Sequence, residues 1–253
     1  MAIFRYLFSA AAVSAAVTSL GSPALAQPIP GEGFAPTSAV AVVVKVPSPW
    51  YAPKFFVASK MRDTIPLYES LQGLNFKAFS FARADGHYGG IYLWKDVASA
   101  RQWFTPEWFA RVEKERGASA DVRFFEVAAV LVNPPDGARS DPDSAAVATI
   151  VEIPIPSGIG KDKVVEGFAA SVSTFQRVPG LLRKYFITMP QGKFGGIYLW
   201  KDEASAKAWF TDAWGDRVRR DYGHAATVEW FETPILLVGK QGNGIRAEGA
   251  KQP

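Results

Sequence analysis

The sequence predicts an α+β protein made of two successive βαββαβ units whose sheets pack against each other. Three observations lead there. The chain repeats itself: Gly89-Gly90-Ile91-Tyr92-Leu93-Trp94-Lys95-Asp96 returns as Gly195-Gly196-Ile197-Tyr198-Leu199-Trp200-Lys201-Asp202, an offset of 106. Within each repeat, apolar residues switch between the spacing of strands and that of helices. Finally, the strands are apolar on both sides, so each sheet must be covered on both faces.

The repeat extends well beyond this motif. Ala98-Ser99-Ala100 matches Ala204-Ser205-Ala206, Trp108 matches Trp214, and Phe125-Glu126 matches Phe231-Glu232. Upstream the offset becomes 107, pairing Val44 with Val151, Lys54 with Lys161, Lys77 with Lys184 and Phe79 with Phe186. One residue is therefore inserted between Ser80 and Gly86, where a hairpin loop tolerates it.

Val40–Val46 is Val-rich and stops before Pro47, which marks a strand; its counterpart begins at Val147. Lys54–Leu71 has helical spacing with Phe56, Met61, Ile65 and Tyr68 facing inward, and Pro66 ends or kinks it. The second copy, Lys161–Arg177, is cleaner, with Val164, Val165, Phe168, Val172 and Phe175 recurring at three and four. Asn75–Arg83 and Leu182–Met189 form second strands; Tyr88–Trp94 and Phe194–Trp200 form third strands. Asp96 and Asp202 are helix N-caps. Behind them Ala100, Trp103 and Phe104 share one helical face, as do Ala206, Trp209 and Phe210. Val122–Val132 and Val228–Val238 are the fourth strands. This is the ferredoxin-like split βαβ order. Packing two such units sheet to sheet hides both apolar faces inside one polypeptide, an intramolecular α/β barrel.

The domains accordingly run over residues 39–133 and 147–239. Residues 134–146 are rich in Pro, Gly, Asp and Ser and read as an exposed linker; residues 240–253 read as a polar, disordered tail. Residues 1–26 have the form of a signal peptide. Arg5 gives a positive start, Tyr6–Leu20 carries no charge, and Ala24-Leu25-Ala26 is a cleavage site. An exported, periplasmic protein with no stable membrane anchor is the expectation.

The chain has no Cys and 2 His, which excludes disulfides, thiolate metal sites and Cys nucleophiles and leaves little for a multi-histidine metal site. The excess of 28 Lys+Arg over 24 Asp+Glu is too small to argue for nucleic acid. His87 and His224 are not equivalent in the repeat, which disfavours a symmetric haem or metal pair; both read as loop residues. Gly89-Gly90 and Gly195-Gly196 open strands, not helices, so they are no phosphate loop. The Arg217–Arg220 cluster reads as a solvated helix face.

From Gly180 through Lys184, and from Gly195 to Ala206, the sequence resembles the YdhR-like monooxygenase family of the dimeric α/β-barrel superfamily. The first copy carries the same pattern with Val97 in place of the Glu. The resemblance covers about Val40–Val132 and Val147–Val238. It implies a barrel that single-domain relatives build by dimerising and that this chain, as a pseudo-dimeric monomer, builds alone. It also implies cofactor-independent oxygenation: a small aromatic, phenolic or quinol substrate loses a proton and its carbanion reduces dioxygen directly, with no metal.

Such chemistry needs an apolar pocket, a base and donors for the developing oxyanion. Tyr92, Trp94, Trp103 and Trp108, with Tyr198, Trp200, Trp209 and Trp214, are candidates to line the pocket; the plainer reading is core packing. Glu126 and Glu232 stand in apolar strands and are the candidate bases. The plainer reading pairs them with Lys77 and Lys184, which are also candidate substrate-binding residues. A non-catalytic periplasmic module that binds a hydrophobic ligand or serves in stress is the alternative function, and a haem-binding relative a third.

Overall fold

The computed structural model describes residues 38–48, 51–133 and 146–239. The expected signal peptide, the tail and residues 134–145 of the linker lie outside them. Ala146, assigned to the linker by sequence, instead opens a strand.

The first half contains β1 (Val40–Val46), α1 (Lys54–Asp63), α2 (Ile65–Glu69), β2 (Leu74–Ala82), β3 (Tyr88–Trp94), α3 (Val97–Trp103), α4 (Pro106–Arg116) and β4 (Asp121–Val132). The second contains β5 (Ala146–Pro154), α5 (Lys161–Gln176), β6 (Leu181–Met189), β7 (Lys193–Trp200), α6 (Glu203–Trp209), α7 (Asp212–Tyr222) and β8 (Thr227–Val238). The eight strands form one closed antiparallel barrel in the order β1-β3-β2-β8-β5-β7-β6-β4. Each half supplies four consecutive barrel strands in its own order fourth-first-third-second, the ferredoxin-like arrangement.

The eight strands enclose the expected barrel, and its closure specifies what the packing of two sheets alone left open. The sheets join edge to edge, β2 to β8 and β4 to β6. Closure gives the edge strands partners for their backbone N–H and C=O groups, which two stacked sheets would leave open. The inner faces then share one core inside the barrel. Ala41 and Val43 point into it, with Phe76, Phe125, Tyr185 and Phe231. The alternate residues Val40, Val42 and Val44 point outward under the helices. This is why β1 reads as almost unbroken Val.

Two helical boundaries differ from the sequence reading. The long helix expected over 54–71 divides at Thr64, two residues before Pro66 in the first turn of α2. The missing proline N–H and its ring clash oppose an unbroken helix there. In α1 it is Val57 and Met61 that are buried, while Phe56 is only half-buried. In α5 Val164 and Phe168 are buried, whereas Val165 is exposed.

The helix behind each third strand is two helices. Asp96 caps α3 by accepting from the Ser99 N–H at 2.7 Å, and Asp202 caps α6 by accepting from Ser205 at 2.8 Å. Thr105 and Thr211 then start α4 and α7, accepting from Trp108 and Trp214. The Thr-Pro step at 105–106 is the signal that marks this second start.

Candidate active site

Lys77 and Lys184 are the most unusual side chains of the described residues. They occupy equivalent positions on β2 and β6, both facing the helix layer, and are only 2% and 4% exposed. Neither has a carboxylate partner among the described ion pairs. Aromatic rings enclose each amine instead. Lys77 Nζ stands 3.0 Å from the ring centre of Tyr68, 3.9 Å from Phe79 and 4.6 Å from Tyr92. Lys184 Nζ stands 2.9 Å from Phe175, 4.1 Å from Phe186 and 4.6 Å from Tyr198. Burial pushes both amines well below the ordinary lysine range. The ring faces favour the charged form and act in the opposite direction.

The repeated glycines make room for these side chains. A Cβ on Gly90 would lie 3.0 Å from Lys77 Cε, and one on Gly196 would lie 3.0 Å from Lys184 Cε and 2.8 Å from the Tyr198 ring. Their neighbours Gly89 and Gly195 serve the sheet, since a Cβ there would meet the carbonyl oxygen of Val44 or Val151 at 1.9 Å.

Each half also buries an indole donor beside its lysine. Trp103 Nε1 and Trp209 Nε1, at equivalent positions, make no hydrogen bond among the described residues. Their rings pack on the residue that covers the lysine: Trp103 lies 5.6 Å from Tyr68, and Trp209 lies 5.4 Å from Phe175. One ring in each half thus contacts both the buried amine and an indole N–H that lacks an acceptor among the described residues.

The halves differ in detail. Tyr68 in the first becomes Phe175 in the second. Burial raises the Tyr68 and Tyr92 hydroxyl pKa values, and a hydrogen bond between the two lowers that of Tyr68 while raising that of Tyr92 further. Trp200 Nε1 donates to Thr149 at 3.0 Å, whereas Trp94 Nε1, opposite Val42 in the repeat, has no partner among the described residues.

The other expected pocket aromatics form a packed rosette in each half. Tyr92 stacks with Trp94, and the edges of both meet Phe104. Tyr198 stacks with Trp200, and both meet Phe210. Trp108 and Trp214 pack against the same two phenylalanines.

Glu126 and Glu232 lie on the outer face at the seams between halves. Glu126 accepts from Lys161 at 2.7 Å, and Glu232 from Lys54 at 2.9 Å. The expected pairing with Lys77 and Lys184 is thereby corrected: those lysines lie beneath the helices, while helix-start lysines of the opposite half reach the carboxylates. His87 binds Asp85 in its own loop, and His224 is exposed.

Two clefts are prominent among the described residues. One of about 780 Å³ is lined by charged side chains at the barrel mouth, among them Arg83, Arg123, Glu152 and Glu229. Another of about 490 Å³ lies beside α1, against Tyr51, Pro53, Phe56 and Lys60. Neither is lined by Lys77 or Lys184. Among the described residues no three His, Asp or Glu side chains group to hold a metal, and no helix is long and apolar enough to cross a membrane.

Sequence inspection named the lysines but missed Tyr68 and Phe175 as their covers. Helical spacing marks both only as inward-facing. The available signal was the 107-residue offset that aligns them with each other, as it aligns the lysines.

No protein-family model matches the chain, and no curated protein matches it significantly. Solved structures do match. The chain is similar to an anthrone oxidase-like protein with a TM-score of 0.54 at 10% identity, covering 81% of this chain and 95% of that one. It is similar to a candidate monooxygenase from Fusobacterium nucleatum with a TM-score of 0.56 at 12% identity, covering 80% and 95%. A candidate monooxygenase from Lactobacillus acidophilus gives a TM-score of 0.54 at 10% identity, covering 79% and 96%. The chain shares their fold. At these identities the likeness carries the ferredoxin-like architecture and nothing about residues or chemistry.

Proposed function

We propose that the protein is a monooxygenase-type enzyme that oxygenates a small phenolic or enolisable aromatic molecule without a cofactor, in the helix–sheet layer around Lys77 and Lys184. The observation that carries this reading is the buried, ring-enclosed amine with no carboxylate partner among the described ion pairs, repeated in both halves and given room by a glycine. A neutral amine in an apolar site is a competent base. It takes the proton of the substrate hydroxyl, leaving an aryl oxide or enolate beside an ammonium, and the rings stabilise that ammonium. The Trp103 or Trp209 indole N–H is a suitable donor to the oxyanion. The electron-rich carbanion reduces dioxygen; overall, a ring CH₂ and O₂ give a ring C=O and water. Names of the fold neighbours, an anthrone oxidase-like protein and candidate monooxygenases, agree with this class.

On this reading the two repeats descend from one duplicated YdhR-like unit, and an exported monomer does what relatives do as dimers. Glu126 and Glu232 hold the seam, and the amines do the proton transfer. The first half is the better equipped, because Tyr68 adds a hydroxyl that Phe175 lacks.

The test is oxygen uptake by the purified chain with anthrones, quinols and phenols, without added metal, flavin or nicotinamide. Lys77→Met/Lys184→Met should lower turnover by about 10²-fold or more while the fold persists, and Lys77→Met alone should leave the share of the Lys184 site. Tyr68→Phe should lower it less. Unchanged uptake in Lys77→Met/Lys184→Met sinks the amine as base.

A second reading is favoured by one observation: rings fill the space around both lysines, which have almost no exposure. A binding module that opens only for an apolar aromatic ligand accounts for this. Tight binding of such a ligand with no turnover on the whole panel selects it.

A further inference from the structure

We infer that four charged residues at one barrel mouth form a pairing code that makes each half accept only the unlike half. Lys45 of β1 and Arg123 of β4 occupy the same repeat positions as Glu152 of β5 and Glu229 of β8, at offsets of 107 and 106. The first half is basic at both positions and the second acidic at both. This inference rests on the two-repeat reading of the barrel and is independent of any catalytic role.

All four side chains point toward the barrel axis, following the strand alternation that sends Val43, Phe125, Ile150 and Phe231 inside. They meet across the mouth. Arg123 pairs with Glu229, its own counterpart in the repeat, and with Glu152 at 3.0 Å. Lys45 reaches Glu229 at 3.1 Å. Because Arg123 touches its own equivalent, a barrel closed by two like halves would set like charges at this point: arginine on arginine or glutamate on glutamate.

One further ion pair across the halves, Arg83–Glu203 at 2.9 Å, also joins unlike residues, since Val97 stands in the first copy where Glu203 stands in the second, whereas the lysine–glutamate pairs of the seam do not discriminate. Glu126–Lys161 and Glu232–Lys54 are the same pair made twice, with identical residues at each equivalent position. Two first halves, or two second halves, would satisfy that pair equally well. Local charges do not rescue the mouth either. Lys45 has acids of its own half nearby, Asp85 at 3.3 Å and Asp121 at 3.5 Å, and Glu152 has Lys193 at 3.0 Å. Among the described residues Arg123 and Glu229 have ion-pair partners only in the opposite half. They are also only 31% and 23% exposed, so solvent screens them incompletely. A homodimer cannot place opposite charges at one self-facing position; two halves carried on one chain can. The kind of partner this surface fits is therefore a copy of the same fold with an acidic mouth, and like-with-like assembly between chains is opposed.

The experiment uses full chains. Arg123→Glu gathers three carboxylates at the mouth and should lower the melting temperature by about 10 °C, less in high salt. Arg123→Glu/Glu229→Arg restores opposite charges at the self-facing position and should regain more than half of that loss. Next, Arg123→Glu chains are refolded together with Glu229→Arg chains. Exchange of halves lets every Glu at 123 meet an Arg at 229 and every Arg at 123 meet a Glu at 229. A species of twice the chain mass should form in the mixture and in neither variant alone. The inference requires both results. It is overturned if the exchange variant melts no higher than Arg123→Glu, or if the mixture contains only single-chain species.

Discussion

Lys77 lies across Gly90. The glycine is one strand over, and a Cβ there would stand 3.0 Å from the lysine Cε. The same contact joins Lys184 to Gly196. Gly90→Ala or Gly196→Ala should therefore displace the amine or strain the sheet, costing about 1–3 kcal/mol each. Thermal melts of the two variants check this. Gly86→Ala is a poor control because its backbone has positive φ, whereas Gly215→Ala, with open space around it, should be nearly neutral or stabilising.

The buried lysines make stability depend on pH in a defined direction. Their pKa values are lowered in the folded chain, so the unfolded chain binds more protons between that lowered value and the ordinary 10.5. Stability should rise with pH across this window. The gain ends near pH 10, where Tyr92 and Tyr198, held neutral by burial, begin to oppose it. Lys77→Met/Lys184→Met should flatten the rise and raise stability at neutral pH. Denaturant titrations from neutral pH upward would measure both; an unchanged slope would show the amines to be charged in the fold.

The seam carboxylates should behave as structural partners. Glu232 and Lys54 are 44% and 56% exposed, so Glu232→Gln should cost about 0.2–1 kcal/mol. Glu126 is more buried, at 15%, and its Gln variant should cost somewhat more. Neither should change oxygen uptake on any substrate the chain turns over. A large fall in turnover with intact folding would return these residues to the role of base.

Asp96 and Asp202 anchor the helices that carry Trp103 and Trp209. Backbone hydrogen bonds from Ser99 and Ser205 hold both carboxyls below the usual aspartate value of 3.8. Their contribution is complete above that value and is lost as pH falls through the lower folded value. Asp96→Ala and Asp202→Ala should each cost about 1 kcal/mol at neutral pH, with the difference from wild type vanishing in acid. Melts at the two pH values test this.

Local order was legible in the sequence. The βαββαβ succession, the Asp caps and the third strands opened by Gly-Gly follow from alternation, capping chemistry and repetition, all of which act within a few residues. Boundaries were less legible: Pro66 marks a break without saying whether the helix ends or resumes, and the second start at Thr105 follows too closely on α3 for apolar spacing to separate the two helices.

The sequence by itself determined that one strand–helix succession is repeated along the chain with strands apolar on both sides, and that Lys77 and Lys184 occupy matched positions in that repeat. Tertiary structure alone decided how the units join and what each charge meets. Edge-to-edge closure sends Lys161 to Glu126 and Lys54 to Glu232, leaving the strand lysines to the rings of Tyr68 and Phe175. The physical reason is range. Helix and strand preferences are set by neighbours along the chain, whereas an ion pair depends on which residues a closed barrel brings within about 4 Å. Arg123 and Glu229 show the distinction: in sequence they are an ordinary difference between two repeats, and only the barrel puts each in contact with its own counterpart.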